Sequence, residues 1–503
     1  MERASKAEPS EATAEVLLRL VVGLYLVLGA LYATLTPAWQ VPDEPAHYNY
    51  VKYVAETRQL PVLLPGDFPQ VYLEELKARR FPPDMPIAPI RYESYQPPLY
   101  YMLAAGVYQL TGLLGWPSLL ILRAFSLVLG ATALVVGYRV VRTLIPGSPT
   151  LALGTTAFAA MLPMHLAMTA AVNNDVLVEL LVTLIAGRLV AMEADDWTAR
   201  RAFGLGALLG IAFLVKIWAF VAAGMAFFAL GWDLWRGARA RGALSWGGAA
   251  KRAGLMCGTA LLVLSPWLVR NATIYGPGDL LGMARHDQVV SGQLTTAQFI
   301  QQHGLPALLR DFSWTSFRSF WGQFGWMGVL LDERLYLGVA VVSTLALLGM
   351  VLCGIHLIRK WHAMSERQKR GLALMLVWCG LTVAGYLWYN TKYVQHQGRY
   401  LFFALVPFSL AFTVGVRETL HSGMKPVLVS SALGVLALLA VGLVGGDVRW
   451  FAIVLIVAAC CAVALGKWLE DLRPGAALVV LYAGMAVLSV ICLQFYIVPA
   501  LRP

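Results

Sequence analysis

The chain has 503 residues, of which 59% are hydrophobic and only 13% are charged. A soluble protein of this length would need far more polar surface, so the composition predicts a polytopic helical membrane protein. The formal net charge of +11 does not indicate a nucleic-acid partner. The basic residues cluster between apolar runs, as they do in cytoplasmic loops that follow the positive-inside rule.

The first apolar run, 16–36, is long enough to span a membrane and longer than the core of a signal peptide. We therefore predict an uncleaved first helix, and a signal peptide is the alternative. Arg3 and Lys6 precede this helix, and the positive-inside rule places them in the cytoplasm. The stretch "WQVPDEPAHY" (39–48) consequently lies on the exterior face.

An exterior segment is predicted from 38 to 118. It contains the apolar stretch "PPLYYMLAAGVYQLTGLLGW" (97–116), which is short and is closed by Gly and Pro. If this stretch crossed the membrane, the arginine-rich loops that follow it would lie outside, against the positive-inside rule. We therefore predict that it lies along the exterior interface.

The remaining apolar runs and the first helix predict about thirteen transmembrane helices, with the C-terminus outside. Lys216 interrupts the run 202–232, which we interpret as two short helices with Lys216 snorkelling at the turn. The predicted spans after the first helix are 119–143, 150–171, 176–194, 202–216, 217–232, 252–270, 335–358, 371–388, 400–416, 425–443, 451–467 and 475–497.

Asp43 stands directly before a first helical turn that contains a proline. It is therefore a candidate helix N-cap, whose carboxylate would accept hydrogen bonds from free backbone N–H groups. A functional role is the alternative, because Asp43 and His47 are one helical turn apart and face the same way. Such a pair suits a general base, or the binding of a metal or a substrate.

Several motifs resemble those of the GT-C glycosyltransferases, in the branch of protein O-mannosyltransferases and the lipid A aminoarabinose transferase. They are "PDEPAHY", "YESYQPPLYY", "AVNNDVL", "SPWLVRNATIYG" and "QGRYLFFALVP". Members of this family are integral membrane enzymes that take a sugar from a polyprenyl-phosphate carrier on the exterior face. The resemblance implies an all-α GT-C fold and transfer of a sugar to a hydroxyl of a protein, lipid or glycan acceptor.

The resemblance also suggests how the chain is divided. Residues 1–275 are expected to form a catalytic membrane module that includes the first exterior segment. Residues 276–334 are expected to be an exterior aromatic loop. Residues 335–503 are expected to form C-terminal transmembrane helices that contribute to the lipid-donor site.

The family's candidate general base, or acceptor-binding group, is the Asp of an Asp-Glu pair after the first helix. That residue corresponds to Asp43, with Glu44 and His47 beside it. In the family an acidic residue in the loop of "AVNNDVL" faces this Asp, which makes Asp175 the candidate second carboxylate. It would orient the acceptor or bind a divalent cation with Asp43. The sequence has no tight cluster of metal ligands, so metal use stays open, and "AVNNDVL" is otherwise an ordinary polar turn.

Four basic residues lie at predicted exterior helix ends, where the charge rule does not explain them: Arg91, Arg270, Lys392 and Arg399. Snorkelling to lipid headgroups is the ordinary explanation. Lys392 and Arg399, however, bracket a very short loop, "YVQHQG", and together could grip a phosphate. The resemblance implies a phosphate-binding Arg near this place, with His396 and Gln397 assisting by hydrogen bonds.

Tyr95 and Gln96 precede a Pro-Pro pair that stops one helix and starts the next. Family members often carry a polar residue or a His just before such a proline, and this chain carries Gln96 there. We therefore include Tyr95 and Gln96 among the candidate substrate-binding residues.

These observations predict an inverting enzyme of a bacterial plasma membrane, with its site on the exterior face among membrane lipids. Asp43 would deprotonate the acceptor, and Arg399 with Lys392 or Arg270 would stabilise the leaving polyprenyl phosphate. A transporter or lipid flippase is the main alternative, although it predicts charges deep inside the spans and two related halves. Further alternatives are a GT-C-like ligase or polymerase of lipid-linked polysaccharide and a non-catalytic scaffold.

Overall fold

The computed structural model describes residues 8–193, 197–241, 246–422, 424–445 and 450–502. Arg3 and Lys6, on which the predicted orientation of the first helix rests, lie outside the described residues. The described residues fold mainly into helices, in agreement with the predicted all-α class. The helices of the first half are α1 (Glu11–Leu35), α2 (Glu44–Thr57), α3 (Gln70–Ala78), α4 (Leu99–Leu114), α5 (Ser118–Leu144), α6 (Pro149–Met161), α7 (Pro163–Thr169), α8 (Asp175–Ala191), α9 (Ala199–Phe213), α10 (Phe220–Arg241) and α11 (Trp246–Tyr275).

The second half begins with short helices and one small hairpin, and long helices follow. Its helices are α12 (Met283–Val289), α13 (Thr296–His303), α14 (Leu305–Trp321), α15 (Glu333–Arg359), α16 (Glu366–Lys392), α17 (Leu405–Ser422), α18 (Met424–Gly445), α19 (Trp450–Leu472), α20 (Ala476–Ile491) and α21 (Val498–Leu501). The hairpin consists of β1 (Gln323–Phe324) and β2 (Val329–Leu330), in which Gln323 pairs with Leu330. The predicted exterior loop 276–334 is thus helical over much of its length.

Ten helices within the described residues are long and apolar enough to cross a membrane. The bent pair α6 and α7 would make an eleventh crossing. Each predicted span has a helix at its position, but α8 and α9 have only 17 and 15 residues. The predicted multi-pass architecture is therefore confirmed, whereas the count of thirteen crossings is not. The ten helices are α1, α5, α10, α11, α15, α16, α17, α18, α19 and α20.

The predicted span 150–171 is broken in two. α6 and α7 meet at an angle of 66°, and Pro163 is the first residue of α7. A proline has no backbone N–H and clashes with the carbonyl four residues earlier, so it ends the helix that precedes it.

α4 is the helix of the apolar stretch 97–116, which is predicted not to cross the membrane. Its 16 residues fall short of the roughly 20 that a membrane-spanning helix needs. Gln109 on α4 donates a hydrogen bond to the carbonyl of Ala55 on α2 at 2.8 Å. α4 thus packs beside α2, and its interfacial placement stays a prediction.

The β1–β2 turn has an unusual backbone. Gly325, Trp326 and Met327 all have positive φ angles, of 56°, 55° and 70°. Such angles are unfavourable for bulky residues and persist only where the surroundings hold them. The Trp326 indole N–H donates to the carbonyl of Trp39 at 3.0 Å, which ties the turn to the link between α1 and α2.

A buried ion pair fixes the beginning of α2. Arg123 on α5 donates to both carboxylate oxygens of Glu44, at 2.8 and 2.6 Å, and both side chains are almost completely buried. Arg123 also donates to the carbonyls of Ala33 and Thr36 near the end of α1. Glu44 in turn accepts from the backbone N–H of Val172 at 3.2 Å. The pair therefore joins α1, α2, α5 and the turn before α8.

We predict that Arg123→Met strongly destabilises the fold. The substitution keeps an apolar side chain in place but leaves the buried carboxylate of Glu44 without its cation, a change worth about 3–5 kcal/mol. Thermal unfolding in detergent measures the effect.

Arg19→Met is the matched control, because Arg19 forms an ion pair with Glu15 in which the side chains are 78% and 63% exposed. Exposed pairs contribute about 0–1 kcal/mol. Equal unfolding temperatures for the two variants would contradict the role assigned to Arg123.

Candidate functional site

One cavity of about 850 Å³ collects most of the candidate site residues. Its walls come from segments far apart in the chain. They are the α1–α2 link, α3, the 3₁₀ turn Tyr92–Tyr95, residues 173–175, residues 216–220, α12, the β1–β2 turn, the last turns of α16 and the loop that follows it. α8 starts at this cavity and α9 returns to it, so these segments meet at the same end of the helices.

Asp43 occupies the N-cap position of α2 but does not cap the helix. Its φ is 68°, and its side chain makes no capping hydrogen bond. One carboxylate oxygen accepts from the Arg399 guanidinium and the other from the Tyr92 hydroxyl, both at 2.7 Å. The predicted capping hydrogen bonds are therefore wrong, because the Asp43 carboxylate is directed at Arg399 and Tyr92 instead of at the backbone of α2. The left-handed backbone at this position is one that Asp tolerates better than most residues.

Arg399 has hydrogen-bond donors to spare. It is 7% exposed, and one Nη donates to Asp43. Within the described residues, the one hydrogen bond of the other Nη goes to the sulfur of Met168, at 3.8 Å. Its Nε has no hydrogen-bond partner in the described part of the chain. A guanidinium with unused buried donors is suited to an anion that presents several oxygens.

Lys392 lines the same cavity as Arg399. Its Nζ lies 4.7 Å from the centre of the Trp388 ring, a cation–π distance. The structure thus brings the two cations that bracket "YVQHQG" together with Asp43. Gln397 also lines the cavity.

The pKa values of Asp43 and His47 are both displaced. Burial alone would raise the pKa of Asp43, but the adjacent Arg399 guanidinium outweighs it and holds that pKa at about 2. Burial and the nearby Lys216 lower the pKa of His47 to about 4. His47 is therefore neutral near pH 7, and its Nδ1 shares a 2.8 Å hydrogen bond with the Tyr101 hydroxyl.

Asp175 forms a second buried ion pair, with Lys216. Lys216 also donates to the side-chain oxygen of Asn174 at 3.2 Å. The predicted snorkelling of Lys216 is wrong, because its side chain is only 13% exposed and lines the cavity. A single lysine inside a long apolar run is the sequence signal for such a buried cation.

Tyr95 and Gln96 also reach the cavity. The Gln96 amide donates to the Tyr95 hydroxyl at 3.0 Å and accepts from the Asn174 amide at 3.4 Å. Glu93 lies beside them and was not among the predicted site residues. Its burial and the neighbouring Asp43 raise the pKa of Glu93 to about 7.

Two predicted residues lie near the cavity but do not line it. The Glu44 carboxylate is turned away to Arg123, so it is not placed to touch a substrate in the cavity. The His396 ring packs edge-on against Phe312.

Arg91 and Arg270 are also outside the cavity lining. Arg91 lies 3.9 Å from the Asp67 carboxylate. Arg270 donates to the carbonyls of Leu60 and Pro61 at 3.2 and 2.6 Å and lies over the Trp267 ring. Both arginines contact the segment between α2 and α3, which explains their position without a ligand.

The two carboxylates suggested for a divalent cation already have cationic side chains as partners. Asp43 pairs with Arg399, and Asp175 pairs with Lys216. Among the described residues, no group of three or more His, Cys, Asp or Glu side chains could hold a metal ion. The arrangement suits acid–base and anion-binding chemistry at these pairs.

Comparison with solved structures shows the fold. ArnT from Cupriavidus metallidurans bound to undecaprenyl phosphate matches with a TM-score of 0.53 and 14% identity, over 94% of this chain and 76% of that chain. The apo state of the same protein matches with a TM-score of 0.52 and 14% identity, over 96% and 77%. The S. cerevisiae protein O-mannosyltransferase complex bound to the sugar donor reaches only 0.36, at 17% identity over 58% and 37%.

No protein-family model matches the sequence, and no curated protein matches it. The likeness to ArnT therefore concerns the three-dimensional structure. The chain has the GT-C fold that the sequence motifs predict.

We predict that Glu93 makes the stability of the protein depend on pH. A carboxyl whose folded pKa is raised to about 7 binds its proton more tightly in the folded than in the unfolded state. Its stabilising contribution is complete below the unfolded pKa and is lost as pH rises through 7. The unfolding temperature should therefore fall between pH 5 and pH 8 more in the wild type than in Glu93→Gln.

Glu56→Gln is the control for this measurement, because Glu56 is an exposed glutamate paired with Lys52 on the surface of α2. It should show the same pH dependence as the wild type. If Glu93→Gln also shows the pH dependence of the wild type, Glu93 titrates as an ordinary glutamate.

Proposed function

We propose that the chain is a membrane glycosyltransferase that moves a sugar from a polyprenyl-phosphate carrier to an acceptor hydroxyl. The observation that carries this proposal is the direct contact between the Asp43 carboxylate and the Arg399 guanidinium inside the cavity. A proton acceptor and an anion-binding cation lie within reach of one donor molecule. This is the pairing that transfer from a sugar phosphate requires.

The phosphate is assigned to Arg399 and Lys392. The unused Nε of Arg399 and its weakly engaged Nη can fork onto two phosphate oxygens. These cations would also stabilise the negative charge that develops on the leaving phosphate. ArnT, whose fold this chain shares, is known in a structure bound to undecaprenyl phosphate, which supports a lipid phosphate as the ligand.

An apolar part of the cavity suits the polyprenyl chain. Leu381, Ala384 and Gly385 on α16 line it, together with Trp218 and Phe220 near the start of α10. Both helices are long and apolar enough to span a membrane. A lipid tail could therefore lie between them while its phosphate meets the cations at the end of α16.

Asp43 is assigned as the general base. With a pKa of about 2 it is a weak base while it pairs with Arg399. A phosphate bound to the other donors of Arg399 would offset the positive charge that Asp43 experiences, and the weaker ion pair would raise the pKa of Asp43 toward a useful range. Donor binding would thereby activate the base.

The reaction is then a single displacement. The acceptor oxygen bonds to the anomeric carbon as its proton passes to Asp43. The bond between the anomeric carbon and the phosphate oxygen breaks, and the polyprenyl phosphate leaves with the electron pair. Attack opposite the leaving group inverts the anomeric centre.

The exterior placement of the site is part of the proposal. Basic residues concentrate at the helix ends opposite the cavity, which the positive-inside rule assigns to the cytoplasm. They include Arg139 and Arg142 at the end of α5, Arg200 and Arg201 at the start of α9, Arg359 and Lys360 at the end of α15, and Arg367, Lys369 and Arg370 at the start of α16.

We expect Asp43→Asn to lower the rate of sugar transfer by about 10²–10⁴-fold, the usual contribution of a general base. The amide cannot accept the proton but keeps the shape of the side chain. Transfer is measured with radiolabelled polyprenyl-phosphate sugars in detergent or nanodiscs.

The same variant should bind undecaprenyl phosphate at least as tightly as the wild type, because Arg399 is released from its ion pair. Full activity of Asp43→Asn would remove Asp43 from the reaction.

We expect Arg399→Ala to weaken the binding of undecaprenyl phosphate by about 10–100-fold, because each charge-assisted hydrogen bond is worth about 1.5–3 kcal/mol. Arg310→Ala is the matched control, since Arg310 is 76% exposed and pairs with Asp311 outside the cavity. Equal affinities for the two variants, measured in direct binding assays, would show that the phosphate lies elsewhere.

A further inference from the structure

Glu93 is a carboxylate of the cavity wall to which the proposed reaction gives no task. It lies in the same 3₁₀ turn as Tyr92, the residue that donates to Asp43. Its Oε2 is buried and, considering the described residues only, has no hydrogen-bond partner. A buried polar oxygen without a partner is unfavourable unless a ligand supplies a donor.

Two carboxylates near Glu93 have cationic partners of their own. Asp43 pairs with Arg399, and Asp175 pairs with Lys216. The cavity also contains Glu74, which pairs with Lys77, and Asp287, which pairs with His286. Among the described residues, Glu93 is the carboxylate of this cavity that has no ion-pair partner. Its burial and the like charge of Asp43 raise its pKa to about 7, so near neutral pH a large fraction of Glu93 is the uncharged acid.

The chemistry of this group suits a hydroxyl. An uncharged carboxyl both donates and accepts a hydrogen bond. Sugar hydroxyls also do both, and vicinal hydroxyls can use the two oxygens of one carboxyl at once. A sugar with a charged ammonium would instead require the ionised form of Glu93.

We propose that Glu93 recognises hydroxyl groups of an uncharged donor sugar. The inference rests on the proposed function, which places the anomeric carbon between the Arg399-bound phosphate and the Asp43 base. The sugar ring must then occupy the part of the cavity beside Asp43, and Glu93 lines that cavity. Glu93 therefore determines which sugar the site accepts.

The test compares the binding of lipids with and without a sugar. The probes are undecaprenyl phosphate and undecaprenyl-phosphate-linked mannose, glucose, galactose and 4-amino-4-deoxyarabinose. Kd is measured for the wild type, Glu93→Ala, Glu93→Gln and the control Glu56→Ala, each in nanodiscs at pH 7. Glu93→Ala should weaken the binding of at least one neutral sugar lipid about tenfold, and that of undecaprenyl phosphate less than about twofold.

Glu93→Gln should retain much of the affinity that Glu93→Ala loses, because an amide also donates and accepts. Glu56→Ala should bind every probe as the wild type does. Equal weakening of undecaprenyl phosphate and the sugar lipids by Glu93→Ala would overturn the inference, since the residue would then act on the phosphate or on the structure of the site. Unchanged binding of all sugar lipids would overturn it too. An effect confined to the amino sugar, equally strong in Glu93→Gln, would show that Glu93 binds an ammonium.

The same preparations separate this inference from the proposed function. Transfer by the wild type, with no effect of Glu93 on sugar binding, would refute the inference alone. Selective loss of sugar binding in Glu93→Ala, with no transfer by the wild type from any donor, would refute the proposed function and leave the recognition standing. If the wild type bound none of these lipids, the inference and the proposed function would both be refuted.

Discussion

The buried contact between Asp43 and Arg399 joins residues 356 positions apart in the chain. Removing two charges from water is unfavourable, and their attraction compensates only when the geometry is good and further hydrogen bonds are made. The Tyr92 hydroxyl satisfies the second oxygen of Asp43. Arg399, in contrast, retains unused donors. This asymmetry suits a pair that a third, anionic group can enter.

Two adjacent carboxylates have opposite roles in this structure. Glu44 is held by Arg123 and by backbone N–H groups, and so fixes where α2 begins relative to α1 and α5. Asp43, one residue earlier and in a left-handed conformation, turns into the cavity. The buried pair of Glu44 and Arg123 thus supports the position of Asp43 and of its pair with Arg399, to which we assign the ligand. A site held by such support needs little reorganisation during a reaction.

A third pair, Asp175 with Lys216, balances the charge on the wall formed by the start of α8 and the residues after α9. The cavity therefore contains several buried charges. Asp43 and Asp175 each have their own cation. Glu93 differs from them, because a raised pKa rather than a cation relieves the cost of its burial. This difference between otherwise similar side chains separates the proposed chemistry at Asp43 from the proposed recognition at Glu93.

The sequence by itself determined the membrane character and the positions of the helices, and it pointed to Asp43, Lys392 and Arg399 as candidate site residues. These features follow from local patterns: the length of apolar runs, charges at helix ends, and short motifs. Only the tertiary structure decided which charges pair. It placed Arg123 of a transmembrane run against Glu44, brought Lys216 inward to Asp175, and left Arg91 and Arg270 outside the cavity. Pairing depends on how helices distant in sequence pack, and no local pattern encodes that packing.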